Sequence, residues 1–236
     1  MHQILISIGI ICYSTSIYGQ SLIGAWEAIN TNENGEQQRY VVIFAEAYQV
    51  MTTYHASTGE FIHTNGGSYA LEGNTITELV EFHTDDTTKI GKSVSFDIDL
   101  TDHTLSKVDD NLVFHRIDNG APGDLQGAWL MSGRIKNGVS QYRDTNKPRK
   151  TMKILSGTRF QWIAYNTETK EFKGTGGGTY TTIDGKYAEN IEFFSRDHSK
   201  VGLSLEFDYD LIDGHWHHSG SSSKGQPIHE IWSSRK

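Results

Sequence analysis

Cysteine is almost absent from this chain: of 236 residues only Cys12 carries a thiol, and it lies in the apolar stretch at the start. Beyond that stretch no disulfide and no cysteine-based metal site can form, so the core must be held by packing. Proline is scarce too, at 3 residues against 24 glycines. Rigid proline-rich linkers are thereby excluded, and turns fall to glycine, asparagine and aspartate. The formal net charge is −8 and no cluster of lysine and arginine interrupts it, so neither a nucleic acid nor an anionic membrane surface is an expected partner. No window of twelve or more residues carries a helical period, which argues against a helical fold. Past residue 18 no run is long and apolar enough to cross a bilayer as a helix.

What is present begins with residues 4 to 18, an uncharged apolar run too short and too polar at its end to span a membrane. It is similar to a signal peptide, with Gly19 as the small residue before the cut. Residues 1–19 are therefore expected to be a leader, and the protein is expected to be secreted or periplasmic. Cys12 follows Gly9-Ile10-Ile11, which lacks the small residue expected just before a lipidated cysteine.

The rest is a tandem repeat. Gly24-Ala25-Trp26 returns as Gly127-Ala128-Trp129 at an offset of 103, and from Tyr54 onward every match has an offset of 111. Residues 54–100 align without a gap to 165–211 and agree at 19 of 47 positions, which unrelated sequences would not. The eight residues gained by the second copy fall near Gly133 to Lys150, read as a polar, basic loop. Asn119-Gly120-Ala121-Pro122-Gly123-Asp124 has linker composition, dividing the chain into domains at 20–118 and 125–236 with a linker at 119–124.

Period-two alternation identifies strands. Val94, Phe96, Ile98 and Leu100 alternate with serine and aspartate, and Leu203, Leu205, Phe207, Tyr209 and Leu211 do the same. Shorter candidates lie at 40–45, 48–54, 60–64, 68–72 and 75–82, with counterparts at 151–155, 159–165, 171–175, 179–183 and 186–194. Some eight short antiparallel strands per copy imply an all-β small up-and-down barrel or a sandwich.

Parity then picks out candidate functional residues. Glu78 shares a face with Ile76, Val80 and Phe82, and Glu189 with Tyr187, Ile191 and Phe193. If that face is interior, each carboxylate is buried and needs a donor such as Tyr69 or Tyr180, a basic side chain, or a ligand. In the second copy Lys153, Trp162, Tyr180 and Glu189 could line one cavity; the first has Val42 and Met51 in place of Lys153 and Trp162, so the second is expected to hold the better site. Glu81 and Glu192 fall on the opposite face and are expected to be solvated. Trp26 and Trp129 read as core plugs. His215-Trp216-His217-His218 reads as a solvated loop, since two histidines do not make a zinc site. Gly176-Gly177-Gly178 is followed by no helix, so a turn or bulge is expected there rather than a phosphate cradle. No catalytic nucleophile motif is present, and no motif asks for a cofactor or a metal.

Gly-Ala-Trp at the start of each copy, Lys153-Ile154-Leu155-Ser156 with Arg159-Phe160-Gln161-Trp162-Ile163, Gly178-Thr179-Tyr180, Tyr187-Ala188-Glu189 and the closing Glu230-Ile231-Trp232 together resemble bacterial secreted lipocalin-like (calycin) domains. The resemblance implies two tandem antiparallel lipocalin-like up-and-down β-barrels, each closed at its base by the Gly-x-Trp strand and holding a small apolar ligand. The expected function is binding of an apolar, amphipathic or carbohydrate ligand by Glu189, Tyr180, Trp162, Lys153, Glu78 and Tyr69. The alternatives are an isomerase or hydrolase with Glu189 as general base, or filled barrels serving as a structural or protein-interaction module.

Overall fold

The computed structural model describes residues 21–236; the expected leader, with Cys12, lies outside them. The first copy forms eight antiparallel strands: β1 (Gly24–Thr31), β2 (Gln37–Phe44), β3 (Tyr48–His55), β4 (Phe61–Glu72), β5 (Thr75–His83), β6 (Ser93–Leu100), β7 (Thr104–Lys107) and β8 (Val113–Asp118). Each pairs with the next and β8 returns to β1, closing an up-and-down barrel. The second copy runs β9 (Gly127–Lys136), β10 (Val139–Tyr142), β11 (Arg149–Leu155), β12 (Arg159–Asn166), β13 (Phe172–Ile183), β14 (Lys186–Phe194), β15 (Ser204–Ile212), β16 (His215–Ser221) and β17 (Pro227–Ser234). Here β17 closes onto β9, and β10 is an extra arm outside the eight-stranded ring. The fold is all-β, with two tandem up-and-down barrels.

The insertion read as a loop is that arm. Asn137 and Gly138 both take positive φ, 52° and 75°, between the paired Lys136 and Val139, the two-residue turn that matches the twist of a hairpin. Asp184-Gly185 does the same between β13 and β14, with φ of 52° and 73°.

β4 and β13 are each a single 12-residue strand, not the two short strands read from the sequence on either side of the glycines. The glycines mark a bulge instead. Gly67 pairs with Val80 but Gly66 pairs with Phe82, leaving Glu81 as the extra residue; Gly178 pairs with Ile191 and Gly177 with Phe193, leaving Glu192. A side chain at Gly67 or Gly178 would strike the carbonyl of Leu79 or Asn190 across the pair, so only glycine fits. One extra residue reverses parity downstream. Phe82 and Phe193 therefore leave the face of Glu78 and Glu189 and turn outward, while His83 and Phe194 turn in.

Outward is not into solvent. Val41, Ile43, Val50, Tyr54 and Phe82 of the first barrel form one core with Met152, Ile154, Ile163, Tyr165 and Phe193 of the second, which is why Tyr40 to Phe44 reads as a continuous apolar run. Both faces of these strands are buried. The contact is two-fold in pattern: the Tyr54 hydroxyl donates to Glu192 and the Tyr165 hydroxyl to Glu81, Tyr54 stacks on Phe193 as Phe82 meets Tyr165, and Phe61 stacks on its own counterpart Phe172. Glu81 also receives Arg235, and Glu192 receives Arg159. The expectation that these glutamates are solvated is thus corrected: the bulge aims them across the interface. At its centre Thr52 donates to Gln161, whose amide donates to Thr64 and Thr175.

The segment between the copies is docked as well. The buried Asp118 carboxylate accepts from the backbone N–H of Gly120, Gly157 and Thr158 and from the hydroxyls of Ser156 and Thr158. A carboxylate with five donors fixes the end of the first barrel to the β11–β12 turn of the second.

Candidate functional site

Each barrel is plugged at one end by the same device. The indole N–H of Trp26 donates to the Leu22 carbonyl and that of Trp129 to the Leu125 carbonyl, both at 2.9 Å. Beside the plug, the Tyr69 hydroxyl donates to Ala45 O at 2.8 Å and the Tyr180 hydroxyl to Ser156 O at 2.6 Å. Both tyrosines, candidate donors to the buried carboxylates, instead tie the β2–β3 and β11–β12 turns to the barrel wall. Neither lines a cavity.

Glu78 and Glu189 are both buried inside their barrels, and their surroundings differ completely. In the second barrel Lys153 Nζ donates to Glu189 Oε1 at 2.7 Å, and the Tyr187 hydroxyl donates to the same oxygen at 2.8 Å. The ammonium also sits 5.0 Å from the ring centroids of Tyr187 and Trp216, 5.2 Å from Trp232 and 5.8 Å from Phe160. Lys153 is thus held by a carboxylate and an aromatic cage at once. Both donors meet the same carboxylate oxygen of Glu189. What remains open is a cavity of about 190 Å³ walled by Trp162, Phe194, His218, Glu230 and Trp232.

His218 was expected in a solvated loop. It lies on β16, whose alternation turns Trp216 and His218 into the barrel and His217 to the outside, where its ring meets His229 at 3.3 Å. Burial, reinforced by the Lys153 charge, lowers the His218 pKa. Glu230 Oε2 lies 3.5 Å from His218 Nδ1. Among the described residues no three histidine, cysteine or acidic side chains gather as metal ligands.

In the first barrel the matched positions are smaller or aliphatic. Val42 stands for Lys153, Ile76 for Tyr187, Leu105 for Trp216 and Phe114 for Trp232, each at the same register. These residues and Met51 line a cavity of about 410 Å³. The sequence-based ranking of the two sites therefore does not hold for volume: the larger cavity is in the first barrel.

Glu78 lies on the wall of that cavity beside the buried Gln49, and its Oε1 has no hydrogen-bond partner among the described residues. Burial pushes its carboxyl up to about 7, with Gln49 and the more distant Lys89 pulling it back. The exposed Lys89, Lys107 and Asp110 line the cavity where it meets solvent. The candidate residues thus separate into three groups: Lys153, Trp162 and Glu189 share the smaller cavity, Glu78 lines the larger, and Tyr69 and Tyr180 line neither. Gln49 and His218 were missed. Gln49 stands where the second copy has Phe160, so the repeat gave no warning of a polar residue, and His218 was hidden by reading β16 as a loop.

The sequence matches no protein-family model and no curated protein.

Proposed function

We propose that this is a lipocalin-like binding protein acting outside the cytoplasm, in which the first barrel takes up a small amphipathic molecule. The observation that carries the reading is a cavity of about 410 Å³, mostly apolar, with a buried carboxylate on its wall whose Oε1 has no hydrogen-bond partner among the described residues. That volume lies in the range of small-molecule sites, and an apolar lining with few convergent polar groups is their usual chemistry. A buried carboxylate with no counter-charge and one oxygen unpaired is costly to keep, which is the arrangement expected of a group whose partner arrives from outside. The second barrel, its interior narrowed to a cavity of about 190 Å³, serves as the support against which β2 and β3 are packed.

The test fills the cavity with the second barrel's own residue. Replacing Leu105 with Trp places the counterpart of Trp216 in the first barrel. A panel of amphiphiles screened by thermal shift should raise the melting temperature of the parent protein and leave L105W unmoved. Equal shifts in both proteins would place binding elsewhere, and no shift in either would remove the case for a binding protein.

A further inference from the structure

The second barrel shows what a glutamate at this position pairs with. Glu189 and Glu78 occupy equivalent places: each lies opposite a tyrosine, Tyr180 or Tyr69, on one neighbouring strand and opposite an aliphatic residue, Leu205 or Val94, on the other. Glu189 accepts an ammonium at 2.7 Å, delivered on the four-carbon stem of Lys153. In the first barrel the stem is missing, because Val42 ends at its branched methyls, and the space beyond is part of the cavity that Glu78 lines. The carboxylate is present in both barrels and the internal cation only in the second.

We propose that the ligand of the first barrel is an amphipathic amine whose ammonium takes the place of the Lys153 ammonium and pairs with Glu78. This deepens the binding reading above and rests on it. A primary ammonium has three N–H donors and no acceptor. The Glu78 carboxylate can take one, and the Gln49 side-chain carbonyl, buried on the same cavity wall, can take another. The rest of the ligand follows from what replaces the aromatic cage. Phe160, Tyr187, Trp216 and Trp232 become Gln49, Ile76, Leu105 and Phe114, so the first barrel offers less π surface to a cation and more room for an aliphatic body. A compact quaternary ammonium, which relies on aromatic faces and cannot donate, fits the site less well than an alkyl amine. The charged groups at the mouth set the polarity of passage. Lys89 is within 4.0 Å of Asp86 and Lys107 lies over the Phe96 ring at 5.3 Å, while Asp110 offers a carboxylate there. A ligand carboxylate, by contrast, would lie beside Glu78 as a like charge if it entered head first, and could be held only at Lys89 or Lys107.

Three probes with the same apolar body separate these cases: n-octylamine, octan-1-ol and octanoate, titrated calorimetrically into the full two-barrel protein at about pH 8, where both the amine and Glu78 are charged. The amine should bind about tenfold tighter than the alcohol or more, the gain expected of a charge-assisted hydrogen bond, and Glu78→Gln should erase that difference. Val42→Lys transplants the second barrel's own cation; it should abolish amine binding, with a melting curve to verify that the barrel still folds. Equal binding of amine and alcohol, tightest binding by octanoate, or an amine preference that survives Glu78→Gln would each overturn the inference while leaving the cavity as a binding site. Failure of all three probes to bind would overturn the binding reading itself.

Discussion

The two barrels share strand order, the tryptophan plug, the bulge and the buried glutamate, yet one is crowded around its own lysine and the other has about twice the open volume. Lys153, Phe160, Tyr187, Trp216 and Trp232 crowd the second interior, whereas Val42, Gln49, Ile76, Leu105 and Phe114 at the same places leave about 410 Å³. The polar group common to both is a glutamate, so what differs is the source of its partner: the chain itself in one barrel and, in our proposal, a ligand in the other. A duplicated fold can thus narrow one interior and widen the other without changing its ring of strand pairings.

The largest contrast is expected at the matched positions 42 and 153. Lys153→Ala leaves the Glu189 carboxylate buried with Tyr187 alone and should cost about 3–5 kcal/mol in chemical denaturation, the usual loss when one member of a buried pair is removed. Val42→Ala removes only two methyl groups and should cost about 1–2 kcal/mol. Losses of the same size would mean that the ion pair does not distinguish the barrels. Trp26→Ala and Trp129→Ala address what the copies have in common. Each empties an aromatic core site with a satisfied N–H, so each should cost about 3–5 kcal/mol. A loss of under about 1 kcal/mol in one of them would show that its barrel does not depend on the plug.

Much of this architecture was legible because the chain states it twice. The 111-residue offset, the period-two strands, the plugging tryptophans and the burial of Glu78 and Glu189 all follow from pattern. What escaped has several causes. Parity assumes an unbroken strand, and the bulge at Glu81 and Glu192 breaks it, so Phe82 and Phe193 were assigned to the wrong face. The interface was invisible for a related reason: the outward face of β2, with Val41 and Ile43, is apolar for the sake of the other barrel, and a sequence does not say which barrel covers it. The relative openness of the cavities depends on the summed volume of residues from many strands, which no single motif carries. Asp118 looked like the last residue before a linker, because four of its five donors come from the β11–β12 turn, some forty residues further along the chain.

A smaller effect, specific to the open barrel, is its response to pH. The Glu78 carboxyl has its pKa raised from 4.5 to about 7 by burial, so the folded state favours the neutral acid. A raised pKa means that the folded state binds the proton more tightly than the unfolded chain; the stabilisation is complete below about 4.5 and is lost as pH rises through about 7. Across that window the slope attributable to this group is at most ~1.4 kcal/mol per pH unit. Glu78→Gln should flatten it, leaving stability near pH 4 unchanged and raising it by about 1–3 kcal/mol near pH 8. Unfolding of the parent and the variant at both pH values decides the matter, and a variant with no advantage at the higher pH would mean that Glu78 is charged and satisfied in the folded protein.

The smallest effect compares the barrels across the surface they share. Tyr54→Phe and Tyr165→Phe remove the two hydroxyls that donate to Glu192 and Glu81 while keeping the ring contacts with Phe193 and Phe82. Each should cost about 0.5–1.5 kcal/mol, the net worth of one hydrogen bond whose acceptor keeps other partners. The two losses need not be equal. Glu81 is gripped through both oxygens by Arg235, and the same guanidinium also donates to the Tyr165 hydroxyl at 3.0 Å, so Tyr165→Phe removes an acceptor from the arginine as well as a donor from the glutamate. Glu192 draws on Arg159 and more distantly on Arg39 at 3.6 Å, and its side chain is the more exposed of the two, 27% against 12%, so water can replace the lost hydroxyl. Tyr165→Phe should therefore be the costlier change, and the double variant should lose about the sum, since the two tyrosines share no partner. A double variant that loses far more than the sum would show that the two halves of the interface act as one unit.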